Sequence, residues 1–141
     1  MIGGIYELDP QGKKMRMYHG SSELVVNTET GLNLTDLLVI IIDDDGEGNF
    51  TMELQLKPDA VIKISDLTNR NLGKTLVFAL NDVIFIDAII TIPIESNRLE
   101  IGFGLGPAYQ LIEILSGKVE VPQFGPINDS IGSELLLNPN H

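Results

Sequence analysis

The stretch VIFIDAIITIPIE, residues 83–95, constrains this chain more than any other. β-Branched side chains at this density lose rotamer freedom in a helix and pack well on a pleated surface, so the segment reads as a strand. Its isoleucines are nearly continuous rather than alternating with polar residues. A strand of that kind is covered on both faces or nearly so. The chain must therefore supply other layers to cover it. With 141 residues, 43% of them hydrophobic, it has enough for one domain with a substantial core and little room for a second.

The remaining elements follow from pattern. LLVIIIDDDGEGNFTMELQL reads as a β-hairpin, two strand-like runs around an acidic, glycine-rich centre. In KPDAVIKISDLT, Pro58 suits a first helical turn, and Ala60, Val61, Ile64 and Leu67 fall on one helical face. KTLVFALND and the isoleucine-rich run form two strands joined by Asn81-Asp82, side chains that favour turns by bonding the local backbone. SNRLEIGFGL adds a turn and a strand. Gly106-Pro107 then opens the helix AYQLIEILSG, with Gly117 at its C-cap, and KVEVPQF is a last short strand. The first residues are a polar stretch in which LDPQGKK reads as a turn. From residue 50 the order is β-α-β-β-β-α-β. The fold class is α+β, a ferredoxin-like open sheet with two helices packed on one face, preceded by a β-hairpin.

Charge and composition narrow the function. Twenty acidic residues against nine basic give a net charge of -11, which sets aside nucleic acid and anionic membrane surfaces, both of which need clustered Lys and Arg. Without cysteine there is no disulfide framework and no thiolate metal site. The longest apolar run, LLVIII at 37–42, is far short of a membrane span, and the N-terminal residues lack the basic and apolar parts of a signal peptide. The chain as given is expected to be soluble. It would be cytoplasmic, or extracytoplasmic (secreted or lipid-anchored) if the sequence lacks its native N-terminus.

Four features invite a sharper chemistry, and each fails on spacing. GKT at 73–75 ends like a phosphate-binding loop, but the first glycine of G-x-x-x-x-G-K-[ST] would fall on Thr68, and a strand follows where a helix is required. DDDGEGN resembles part of a calcium loop. With Gly46 as the invariant glycine, the first ligand falls on Ile41 and the bidentate carboxylate on Met52, so a solvated hairpin tip is the better reading. GFGLG lacks dinucleotide spacing and the downstream acidic partner. His19 and His141 are read as surface residues, and no serine lies in a G-x-S-x-G context. No catalytic residue, metal ligand or cofactor is assigned.

The run LTNRNLGKTLVFALNDVIFIDAIITIPI, residues 67–94, resembles the head subdomain of the first periplasmic domain of SecD and SecDF, accessory membrane subunits of the Sec protein-export machinery. The family pattern is L-T-x-x-N-[IL]-G-K-x-L-A-[IV]-x-L-D-G-x-V-I-S-A-P-V-I-x-x-P-I. Leu67, Thr68, Asn71, Gly73, Lys74, Leu76, Leu80, Ile90, Pro93 and Ile94 match it without a gap. The hairpin and helix before this run, and AYQLIEILSGKVEVP after it, extend the likeness to residues 32–122. Asp87, Ala88 and the Asn81-Asp82 turn depart from the pattern. The resemblance implies an N-terminal extension over 1–31, a head-like domain over 32–122 and a tail over 123–141. It gives NLGKT a structural role as the turn from helix to strand, with Gly73 ending the helix at positive φ and Lys74 complementing the helix C-terminus. Ile90 and Ile94 are expected in the core.

Two function classes follow. The resemblance implies a free-standing, non-enzymatic module that binds unfolded or extended polypeptide, with Sec-type envelope components as partners and a sheet edge as the receptor. The alternative is a small-ligand-binding or hydrolytic protein on the same frame, which would show a deep pocket with converging polar groups. The broken phosphate-loop spacing predicts no nucleotide binding, so magnesium-ATP should leave the melting temperature unchanged; a stabilisation of several degrees would overturn that reading.

Overall fold

A computed structural model describes residues 2–18 and 22–117. In chain order they form β1 (Gly3–Met17), β2 (Glu23–Asn33), β3 (Leu37–Asp44), β4 (Asn49–Leu56), α1 (Val61–Arg70), β5 (Thr75–Leu80), β6 (Val83–Ile89), β7 (Arg98–Gly104) and α2 (Leu105–Leu115). The architecture is α+β and ferredoxin-like, its strands divided between two hydrogen-bonded ladders. One has the order β2-β1-β5-β6 and the other β3-β4-β7. The strand expected at KVEVPQF, the tail, and both histidines lie outside the described residues.

β5, TLVFAL, explains why the molecule holds together. Leu76, Phe78 and Leu80 point into the larger core, while Val77 and Ala79 point into a second, smaller one. Every residue after Thr75 is buried, so the strand has no solvent face. The larger core takes Met52, Leu54 and Leu56 from alternate positions of β4, Ile64 and Leu67 from α1, and Leu111 and Ile114 from α2. Both helices therefore lie on the same face of the β3-β4-β7 ladder.

The smaller core is closed by β1, which is long enough to curl. Its first residues run antiparallel to β5, with Gly3 opposite Leu80 and Glu7 opposite Leu76. Its last residues, Arg16 and Met17, pair in parallel with Val83 and Ile84 of β6. Between the two halves the ladder with β2 breaks: Leu8 and Lys13 both register with Val26, so residues 9–12 bulge out. The turn chemistry of LDPQGKK thus appears as a break within a strand, which bends it over Tyr6, Met15, Val26 and Ile84. Gly4 lets β1 approach β2, since a Cβ there would sit 1.8 Å from the Leu32 carbonyl oxygen.

The hairpins follow the turn chemistry of the sequence. Asn81 and Asp82 both adopt positive φ, at 45° and 71°, as a two-residue connection requires. β6 carries an extra residue at Phe85, because Phe78 pairs with Ile86 and Ala79 with Ile84. That bulge turns both Phe85 and Ile86 toward the larger core. The isoleucine-rich run divides in two. It is covered on both faces through Ile86, but the strand ends at Ile89, and Ile89 and Ile92 stand 66% and 70% exposed. Pro58–Ala60 forms a single 3-10 turn that leads into α1, where Ile64 and Leu67 are buried and Val61 is half-buried.

Phe78 is 1% exposed at the junction of β5 with both helices. Phe78→Ala is expected to cost about 3–5 kcal/mol through lost burial and a residual cavity, a large part of a typical total of about 5–15 kcal/mol. A urea titration followed by circular dichroism measures it.

Candidate functional site

The motif residues gather where α1 ends, and they knit the chain rather than line a reaction centre. Leu67 and Leu80 are fully buried in the core. Thr68 is also fully buried: its hydroxyl donates to the Ile64 carbonyl at 2.8 Å and accepts the Ile94 amide at 2.9 Å. Asn71 is 4% exposed and its side-chain amide donates to the Leu67 carbonyl at 2.8 Å, closing the last turn of the helix. Gly73 has φ +77° and donates its amide to the Ile90 carbonyl at 2.7 Å, and the Lys74 carbonyl accepts the Ile90 amide at 3.0 Å. The Lys74 side chain and Pro93 are exposed, whereas Ile90 and Ile94 are half-buried against the larger core.

One member of this network has no local signal in the sequence. Glu7, on β1, receives Arg70 through both Nε and Nη2, the latter at 2.8 Å, together with the Asn71 amide at 3.1 Å and the Thr30 hydroxyl. The Arg70 guanidinium, with Thr30 and Asn71 adding to it, holds the Glu7 carboxyl down at about 2. The contact joins residues 63 apart and fastens the N-terminal strands to the end of α1.

Beside this knot lies an apolar groove of about 300 Å³. Leu76 and Phe78 of β5, Ile86 of β6, Ile90 and Ile94 of the following segment, and Leu99 and Ile101 of β7 line it. Thr68, Ile90 and Ile94 are the motif residues it brings together. Two strand edges border it. β6 pairs with β5 on one side, and on the other meets β1 only at Val83 and Ile84. β7 pairs with β4, and its other edge carries no strand among the described residues. At the rim, Arg98 is engaged by Glu53, whose cross-strand neighbour is Glu100. Glu100 also acts on Arg98 electrostatically, so two carboxylates share one guanidinium and the lip carries a net negative charge.

The acidic hairpin tip is consumed by its own turn. Asp44 accepts the Gly46 amide at 2.8 Å and Asp45 the Glu47 amide at 2.7 Å; the latter bond lowers the Asp45 carboxyl. Among the described residues no group of three or more His, Cys, Asp or Glu could hold a metal ion, and no helix is long and apolar enough to cross a membrane.

No protein-family model matches this chain, and no curated protein matches it. Solved structures do. The crystal structure of SecDF in its super-membrane-facing form aligns with a TM-score of 0.58 and 14% identity, over 76% of this chain and 17% of that one. A structure of SecDF described as a membrane component that enhances protein export aligns with a TM-score of 0.51 and 16% identity, over 71% of this chain and 54% of that one. The chain thus spans well under two thirds of either SecDF chain. At these identities the likeness is one of fold, and the fold is SecD-like.

Ionisation of Glu7 predicts a specific acid sensitivity. Its folded value of about 2 lies below the ordinary glutamate value of 4.5, so its stabilisation is complete above pH 4.5 and is lost as pH falls toward 2. The urea midpoint should drop across that window. Glu7→Gln should flatten this part of the profile and lower the midpoint at neutral pH, because the Arg70 and Asn71 donors lose a charged acceptor.

Proposed function

We propose that this protein is a non-enzymatic polypeptide-binding module that takes extended chains into the groove between β6 and β7, in the service of protein export or a related envelope process. The observation that carries the reading is an apolar groove bordered by β6, whose outer edge meets β1 only at Val83 and Ile84, and by β7, whose outer edge carries no strand among the described residues. An extended chain laid there can hydrogen-bond along a free edge and drop alternate side chains onto Leu76, Ile86, Leu99 and Ile101. The SecD-like fold supports the export context, and Sec-type envelope components are the partners it suggests. The residue matches at Leu67, Thr68, Asn71, Gly73, Lys74, Leu80, Ile90, Pro93 and Ile94 favour the head subdomain as the relevant part, with residues 32–122 as the head-like unit.

The lining of the groove suits a polypeptide better than a small ligand or a hydrolytic substrate. A volume of about 300 Å³ is at the lower end for ligand pockets, which also need a few polar groups aimed inward. Two threonines line it: Thr91 is exposed, and the buried Thr68 already gives its proton to Ile64 while it accepts Ile94. Arg98 is held by Glu53 at the rim.

Charge selects among polypeptides. The overall charge of -11 and the two carboxylates, Glu53 and Glu100, that share Arg98 at the rim favour basic segments. Fluorescence anisotropy with labelled, unstructured peptides of opposite charge should show weak binding, stronger for the basic one. The preference should shrink as salt shortens the Debye length to about 8 Å at physiological strength, leaving a salt-insensitive remainder from strand pairing and apolar contact. Glu100→Lys, at an exposed position, should remove up to about 1 kcal/mol of the preference without unfolding the protein. Absence of binding to either peptide would overturn the proposal, and complete loss with salt would reduce it to bulk charge attraction.

A further inference from the structure

The smaller core is enclosed by strand pairing that returns on itself. The first half of β1 pairs with β5, β5 pairs with β6, and β6 pairs with the last residues of β1. The mouths of closed sheets are among the preferred places for small-ligand sites. At the Asn81-Asp82 end of this closure a pocket of about 170 Å³ opens, and it shares no lining residue with the groove.

Ile2, Met15 and Ala79 give the pocket an apolar wall. Three polar side chains stand out against it. Lys13 Nζ and Asp82 Oδ1 are 2.8 Å apart and each side chain is about half exposed, so a cation and an anion sit side by side at the opening. The third is Tyr6. It is 2% exposed within the smaller core, yet its hydroxyl has no hydrogen-bond partner among the described residues. A buried tyrosine hydroxyl ordinarily finds one. Burial, with the Asp82 charge adding to it, pushes this hydroxyl above its ordinary range, so at neutral pH it keeps its proton and offers a donor.

We propose that this mouth binds a free α-amino acid with a small aliphatic side chain, its ammonium on Asp82, its carboxylate on Lys13 and Tyr6, and its side chain against Met15 and Ala79. Charge balance carries the choice. An anion alone would take Lys13 and leave Asp82 desolvated without a partner, and a cation alone would do the reverse; a desolvated charge left single is strongly unfavourable. A zwitterion satisfies both. In an α-amino acid the two charges flank one carbon, a spacing that suits opposite charges already in contact. Having no net charge, it is not repelled by the -11 of the chain, and the half-exposed pair it must open contributes little by itself. Size agrees: a cavity of about 150 Å³ takes a benzene ring, so this pocket suits a compact amino acid such as valine better than a larger metabolite or a folded-out peptide.

Titration of L-valine into the full chain, followed by amide NMR spectra, should shift the Gly3, Ala79, Asn81 and Asp82 signals saturably and leave Leu99 and Ile101 of the groove in place. Valinamide keeps only the ammonium and isovalerate only the carboxylate; each should bind about tenfold more weakly, the loss expected when hydrogen bonding to a charged group is removed. Tyr6→Phe keeps the buried ring and should weaken L-valine by a similar factor without lowering the melting temperature. Asp82→Asn, which tolerates the positive φ of this position, should abolish the preference for L-valine over isovalerate. The proposal is overturned by the absence of a saturable shift, by equal binding of the three probes, by undiminished binding to Tyr6→Phe, or by shifts confined to the groove.

Discussion

Burial of β5 on both faces is the constraint on which the rest of the structure depends. A strand with no solvent side needs a layer on each face, and this chain builds them by different means. Helices and the β3-β4-β7 ladder cover Leu76, Phe78 and Leu80, while the curled β1 and its partner β2 cover Val77 and Ala79. Each layer alone would leave an apolar face in water, at roughly 25 cal/mol per Å². The two cores are therefore coupled through one six-residue strand. The groove lies where that coupling leaves the outer edge of β7 without a strand among the described residues.

The knot at the end of α1 fixes the relation between the layers. Thr68 ties the helix to the segment after β6, Gly73 and Lys74 tie the helix exit to Ile90, and Glu7 ties β1 to Arg70 and Asn71. These bonds are short-range in space and long-range in sequence. They tie Ile90 and Ile94, which line the groove, to the end of α1.

What the sequence revealed depended on whether the signal was local. The two hairpins, the helical face of Ala60, Val61, Ile64 and Leu67, and the turn at Asn81-Asp82 each rest on neighbours within a few residues, and each was legible, though the positive φ of the turn was not part of that reading. β1 and β2 were not. GGIYELDPQGKKMRM mixes glycine, charge and turn residues because its two halves face different neighbours, β5 and then β6, with a bulge between. No single period survives such a change of partner. The isoleucine-rich run misled in the opposite sense: its composition is uniform through Ile94, yet its pairing with β5 ends at Ile89, where the chain turns to meet Leu72. Of the groove, Thr68, Ile90 and Ile94 were in view as motif residues, but their convergence with Leu99 and Ile101 is a product of tertiary packing.

The pairing of Gly3 with Leu80 has a consequence for how the protein is made. β1 is synthesised first, and its inner edge finds no partner until β5 follows. Closing so long a loop costs entropy that grows only slowly with length, about 0.6 kcal/mol per doubling, but it must be met before the smaller core returns anything. The ribosome thus delivers Tyr6 and Met15 well before Val77 and Ala79 exist to cover them. During that interval only the β1–β2 hairpin can protect the strand, and a lone two-stranded hairpin is marginal in water. Burial of Tyr6 and Met15 therefore waits on the emergence of β5.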